Sequence, residues 1–285
     1  MYRRASAPKL VISLVVATVV ACYTGPSDES TSERTHIIHV DGFVQVDHED
    51  VLVEVIMEVP TEEDDIDTFA ARTFADFMPN AEYIGWDHDQ DFRFSKIGHK
   101  FSTGQAKYFY NASNQPTNGT GVNEAAATWS NAGANFVFLD GGATTRCPSL
   151  AAECGTQRHD GNNDVGWKAI ATANVLGVTY TSTRPEFDML MDADRSWGGT
   201  SVDARTVFVH ELGHGLGLGH SNVNGSCMFA SYGGVRRSLH SDDVAGIKSI
   251  YGEKSSTPPP SAQCTRARRA RVANADAEIP ACIPP

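Results

Sequence analysis

The stretch Val209-His210-Glu211-Leu212-Gly213-His214-Gly215-Leu216-Gly217-Leu218-Gly219-His220 decides the reading of this chain. On a helix, positions four apart share a face, so His210 and His214 aim their imidazoles at one point. Glu211 stands beside the first of them, within reach of a water at that point without being a ligand. Gly217 falls where the chain must leave the helix and swing back, a turn whose positive φ glycine tolerates. His220 then brings a third imidazole. Three neutral imidazoles that leave a fourth position for water make a catalytic zinc site, not a structural one. A bare H-E-x-x-H arises by chance more readily than this extended pattern. Here the pattern closes an apolar run (Val202, Val207, Phe208, Val209) suited to a buried helix, expected to begin near Thr200 or Ser201 and to run through His214. No Ser/His/Asp or Cys/His arrangement competes for the chemistry.

The residues that follow narrow the reading. Ser221 comes directly after the third histidine, and Met228 lies in Ser226-Cys227-Met228-Phe229-Ala230-Ser231-Tyr232. Leu239-His240-Ser241-Asp242-Asp243-Val244-Ala245-Gly246-Ile247-Lys248-Ser249-Ile250-Tyr251-Gly252 closes the pattern. With these features the chain resembles the metzincin metalloproteases, and within them the matrixin-like branch, over residues 98–252 and most strongly from 186 onward. The resemblance implies an α+β fold. A twisted mixed sheet with one antiparallel edge strand would carry an active-site helix, a Met-turn and a C-terminal helix. It further implies a zinc endopeptidase acting on protein or peptide substrates, with one catalytic ion on His210, His214 and His220 and Glu211 as general base and acid. Met228 would form the floor beneath the metal, and Tyr232 and Thr206 would line the substrate pocket. The edge strand would be Glu186 to Met191, free to pair with an extended peptide. Asp192 and Asp194 are candidates for calcium. The stretch Glu186-Phe187-Asp188-Met189-Leu190-Met191-Asp192-Ala193-Asp194 lacks the histidine through which animal matrixins hold a second zinc, so that zinc is not expected. Nor is there a latency cysteine, since the one cysteine upstream is Cys22.

Composition supports a globular chain: 285 residues, 41% apolar and 20% charged. The net charge of −12 argues against a nucleic-acid partner. It is concentrated in residues 36–97, which hold 16 Asp/Glu against 3 Lys/Arg, and this segment reads as a small α+β module preceding the catalytic domain. Two β-like runs, His36 to Val46 and Val51 to Val59, precede a helix expected to start at Thr61 and to bury Ile66, Phe69, Ala70, Phe74 and Phe77. A strand near Tyr83–Trp86 follows. The module is either a pro-domain, which would make the chain a zymogen, or an accessory or tethering module. As a pro-domain it must block the site without a cysteine, and an aspartate of Asp87-His88-Asp89-Gln90-Asp91 is one candidate.

The first 21 residues read as a signal peptide, with Arg3, Arg4 and Lys9 before an apolar run too short to span a bilayer. Val19-Val20-Ala21-Cys22 resembles a bacterial lipobox, with Cys22 lipidated and residues 22–35 as the tether; ordinary cleavage after Ala21 is the other reading. The chain is therefore expected outside the cytoplasm, in a bacterial cell envelope as a lipoprotein anchored through Cys22, or secreted, and as a monomer. Export permits disulfides, and the expected pairs are Cys147 with Cys154 and Cys264 with Cys282, leaving Cys227 as a buried thiol. Residues 253–285 form a Pro-rich linker and cysteine-containing tail. The rival reading is a non-catalytic zinc-binding lipoprotein that holds peptides or envelope material. Glu211 discriminates, because such a protein has no use for a general base.

Overall fold

Two eleven-residue strands, β1 (His36–Val46) and β2 (Glu49–Val59), pair along their whole length as an antiparallel hairpin. Asp47 and His48, both at positive φ, form the two-residue turn whose twist matches the strands. Alternation along β2 turns Val51, Val53, Val55, Met57 and Val59 to one face, and the helix α1 (Ile66–Phe77) covers that face with Phe69, Ala70, Phe74 and Phe77. The helix starts later than Thr61. Asp65 is the N-cap, its carboxylate accepting from the Thr68 amide at 3.0 Å, and the acidic residues before it lie in the turn. The computed structural model describes residues 36–85, 94–198 and 201–255, all within one compact unit.

The remaining elements are β3 (Glu82–Gly85), β4 (Gln105–Asn111), α2 (Val122–Ser130), β5 (Val137–Ala143), β6 (Asn163–Lys168), β7 (Val175–Ser182), β8 (Phe187–Asp192), α3 (Ala204–Gly215) and α4 (Ser241–Tyr251). All eight strands join one mixed sheet in the order β3-β1-β2-β7-β8-β6-β4-β5. Strands β8, β6, β4 and β5 are parallel neighbours, whereas β7, β2, β1 and β3 run antiparallel to theirs. A second apolar layer on the opposite face packs α2, α3 and α4 against Ile56, Leu176, Phe187, Met189 and Met191. The Glu186–Met191 segment is not the edge expected from the sequence. As β8 it lies between β6 and β7, which is why all of its residues are buried. The antiparallel strand at that end of the parallel set is β7, and its outer side is taken by β2 from Val51↔Ser182 to Met57↔Val175.

Helix α3 carries the histidine pattern and is buried along almost its whole length. It begins at Ala204, not at 200–201, because Asp203 captures its first turn. Asp203 Oδ1 accepts from the Thr206 amide at 2.8 Å and from the Thr206 hydroxyl at 2.6 Å, and Arg237 pairs with the same carboxylate. In mid-helix, Trp129 of α2 donates its indole N–H to the Val209 carbonyl at 2.7 Å. Disulfide Cys147–Cys154 closes the loop between β5 and β6, and Cys227 is a free, buried thiol. Cys22, Cys264 and Cys282 lie outside the described residues, as do Asp87 to Asp91. Among the described residues no helix is long and apolar enough to cross a membrane.

Asp203→Ala is expected to cost about 1–2 kcal/mol, the usual range for losing an N-cap, read by urea unfolding at neutral pH. The Arg237 hydrogen bonds, with those from Thr206, hold the Asp203 carboxyl at about 2 against the opposing effect of burial. The folded value lies below the unfolded one, so this stabilisation is complete above the ordinary carboxylate range and vanishes as pH falls through about 2. The difference between wild type and variant should shrink accordingly in acid.

Candidate metal centre and active site

Helix α3 places His210 and His214 one turn apart, with their Nε2 atoms 3.0 Å from each other. Each ring is fixed from behind. His210 Nδ1 lies 2.7 Å from the Cys227 carbonyl and His214 Nδ1 2.8 Å from the Leu218 carbonyl. A carbonyl only accepts, so each Nδ1 carries the proton and each Nε2 presents a lone pair. After the helix, Gly217 takes φ +111°, and a Cβ there would stand 2.5 Å from the His99 carbonyl oxygen. That turn, pinned by Ile97 N–H to Gly217 O and Ser95 N–H to His220 O at 3.1 Å each, brings His220 back towards the helix. The His220 ring centre lies 5.3 Å from that of His210 and 5.0 Å from that of His214.

Beneath the three rings runs the Met-turn. Met228 is fully buried, and its sulfur packs against Gly213 on α3. The turn is held by the start of α4. The Asp243 carboxylate accepts from the Cys227 amide at 2.9 Å, from the Met228 amide at 3.2 Å and from the Ser226 hydroxyl, while Ser221 donates to Asp242 at 2.7 Å. Thr206, Tyr232 and His210 line one small pocket together with Val207, Phe229 and Arg236. The Tyr232 hydroxyl accepts from the Asp203 amide, and Thr206 Oγ1 accepts from the Arg236 amide, so both pocket residues are braced. Asp192 sits elsewhere, at the end of β8, where its carboxylate accepts from the amides of Ile170 and Asp194 at 3.1 Å each.

The structure adds three residues that the motif does not contain. Glu54 projects from the middle of β2 into the histidines. Its Oε1 is 3.1 Å from His210 Nε2, and its Oε2 is 3.3 Å from His220 Nε2 and in contact with His214 Nε2. His39 of β1 stacks on His210 with ring centres 3.9 Å apart, and its Nδ1 reaches Glu54 at 2.6 Å and Glu211 at 3.4 Å. Asp41, opposite Glu54 in the hairpin register, lies 3.4 Å from His220 Nδ1. The sequence held one signal for them: His39 and Glu54 are charged or chargeable residues inside apolar β runs, and such residues are seldom buried without a partner.

Burial sets the electrostatics here. It lowers the basicity of His39, but hydrogen bonds to Glu211 and Glu54 and their negative charge outweigh it and lift His39 to about 9. Burial pushes His210 well below the usual histidine value. It also raises Glu211, with the charge of Glu54 adding to the shift and His39 opposing it. Glu211 meets only the long contact from His39 Nδ1 at 3.4 Å, and His220 only those from Asp41 and Glu54 at 3.4 Å and 3.3 Å. Converging lone pairs among buried carboxylates are what a divalent cation satisfies, and imidazole nitrogen with carboxylate oxygen is a donor set for zinc. The donor atoms of His39, Glu54, His210 and His220 lie within 4.8 Å of one another.

A buried three-histidine centre at the end of a helix backing a mixed sheet, closed below by a methionine turn, defines a metzincin catalytic domain of the α+β class. The family model for matrixin matches residues 64–252, more than half of the chain, and the chain belongs to that family. It is 40% identical over 78 residues to karilysin of Tannerella forsythia, covering 27% of this chain and 16% of that protein. It is 48% identical over 69 residues to matrix metalloproteinase-19 of Homo sapiens, covering 22% and 14%. Matrilysin of Rattus norvegicus is 44% identical over 73 residues, covering 24% and 27%. The matched segments thus span well under a third of these relatives' own lengths.

At an ordinary helix interior, Gly→Ala gains about 1 kcal/mol. Gly213→Ala should reverse that sign, because the added Cβ would stand 2.2 Å from the Met228 sulfur and 2.9 Å from the Trp129 ring. A loss of about 1–3 kcal/mol is expected from overpacking of this kind, measured as a shift in the urea midpoint.

Proposed function

We propose that this chain is an exported, zinc-dependent endopeptidase in which His210, His214 and His220 hold one zinc ion and Glu211 is the general base and acid. The observation that carries the reading is the convergence of three imidazoles, two with their Nδ1 protons committed to carbonyls, beside the fully buried carboxyl of Glu211. Zinc in this position supplies Lewis acidity toward a peptide carbonyl and toward water. Glu211 is the one carboxyl of α3 at the centre, and its raised proton affinity suits a group that takes a proton from water and returns it to the leaving amine. Met228 supports the centre from below, and Thr206 and Tyr232 wall the pocket that receives a substrate side chain. The Cys147–Cys154 disulfide supports an oxidising compartment. With the leader sequence it favours passage out of the cytoplasm and anchoring through a lipid at Cys22, with proteins or peptides as substrates.

The test uses residues 23–285 and the variants Glu211→Ala and His214→Ala, each with Glu54 intact and as Glu54→Ala, since Glu54 lies in the centre. One zinc per chain is expected in all but the His214→Ala forms. Cleavage of a mixed peptide pool should be abolished by chelation. Among forms that cut, Glu211→Ala should lower the rate by about 10²–10⁴-fold, the contribution of a positioned general base. Zinc bound without cleavage in any form, including after limited proteolysis that removes residues 36–59, would favour the binding lipoprotein instead, and no zinc in any form would exclude both.

A further inference from the structure

We infer that Glu54 is an internal fourth ligand of the zinc centre, carried on a hairpin that fills the substrate cleft and holds the enzyme shut. The inference rests on the zinc reading above and goes beyond it by naming what occupies the open position.

Three independent features of the hairpin converge. The first is the carboxylate itself. One group reaches the Nε2 atoms of all three histidines, at 3.1 Å and 3.3 Å from His210 and His220 and in contact with His214. Its side chain is 2% exposed. Burying a carboxylate between Val53 and Val55 in mid-strand is costly unless the charge is met. Its cross-strand neighbour on the same face is another acid, Asp41, which makes the position worse for the hairpin alone.

The second feature is His39. It hydrogen-bonds Glu54 at 2.6 Å and faces Glu211 at 3.4 Å, so one side chain orients the proposed ligand and engages the proposed base. The third is the backbone. Strand β2 pairs with β7, the strand edge to which a peptide would otherwise add, and Glu54 stands opposite Thr179 in that register. Strand β1 takes the other wall. The His39 amide donates to the Ala230 carbonyl at 3.1 Å, and the Tyr232 amide donates to the Ile37 carbonyl at 3.0 Å, next to the Met-turn. Metal position, base and both walls are thus taken by residues 36–59. Cleavage of a peptide in this cleft requires the hairpin to leave. In this inference Glu54 is the blocking carboxylate.

The test loads residues 23–285 with cobalt in place of zinc and uses acetohydroxamate, a small chelating probe of an open metal position. Wild type, Glu54→Gln, Glu54→Ala and the control Glu58→Gln are compared by metal content, visible absorption and probe affinity. Glu58 lies on the same strand but pairs with Arg195 away from the centre. All four should bind one metal. The two Glu54 variants should bind the probe at least about tenfold more tightly than wild type, because no internal ligand competes for the position. Their cobalt spectra should also differ from the wild-type spectrum, while Glu58→Gln should match it. If Glu54→Ala does not fold, the nearly isosteric Glu54→Gln decides. One metal per chain with equal probe affinity and equal spectra in wild type and Glu54→Gln would overturn the role of Glu54 and leave the zinc reading standing. No metal in any form would overturn the zinc reading, and this inference with it.

Discussion

The structure depends on meeting charge at one buried point. Three imidazoles and the carboxylates of Glu54 and Glu211 are gathered where almost no water reaches them. Unmet, such a cluster is among the most costly arrangements a protein can hold. Much of the fold around it serves to keep those groups aimed inward. The Cys227 and Leu218 carbonyls fix two rings, Asp243 ties the Met-turn to α4, and Asp203 and Trp129 lock α3 in place. Gly217 and Gly213 are small because backbone and sulfur come close at those positions.

The N-terminal hairpin is part of the same sheet as the catalytic strands. Its apolar side makes a core with α1, and its polar side enters the metal centre. A strand can serve both because its side chains alternate between two faces. Seven residues of β2 pair with β7, with one shift of register between Ile56 and Met57, so the hairpin is bound by a ladder of backbone bonds as well as by one carboxylate. Release by a small change at Glu54 alone would leave that ladder in place. Removal of the strand, by cleavage or displacement, is the change that opens the cleft.

Much of this was legible in the sequence because the residues involved are local. The pattern from His210 to His220 needs only helical periodicity and one glycine turn to assemble. The two β runs and α1 followed from alternation and an apolar stripe, with the helix start displaced because Asp65 is a better placed cap than Thr61. What could not be read was pairing at a distance. Nothing in Phe187 to Asp192 says that β8 lies between β6 and β7 and that β7 is the strand next to the hairpin, since both are short apolar runs. Likewise nothing local ties Glu54 to His210, which are brought together by the β2–β7 ladder. The only trace was a glutamate in the middle of Val-Glu-Val-Ile, a buried charge whose partner the sequence does not name.

The most direct measurement is an anomalous-difference map at the zinc edge, from crystals of residues 23–285 grown with zinc. A single strong peak is predicted, bounded by Nε2 of His210, His214 and His220 and by the Glu54 carboxylate, with β2 still paired to β7. A peak at another site would contradict the zinc centre. A peak at the three histidines with Glu54 turned away and the β7 edge open would contradict the closed state.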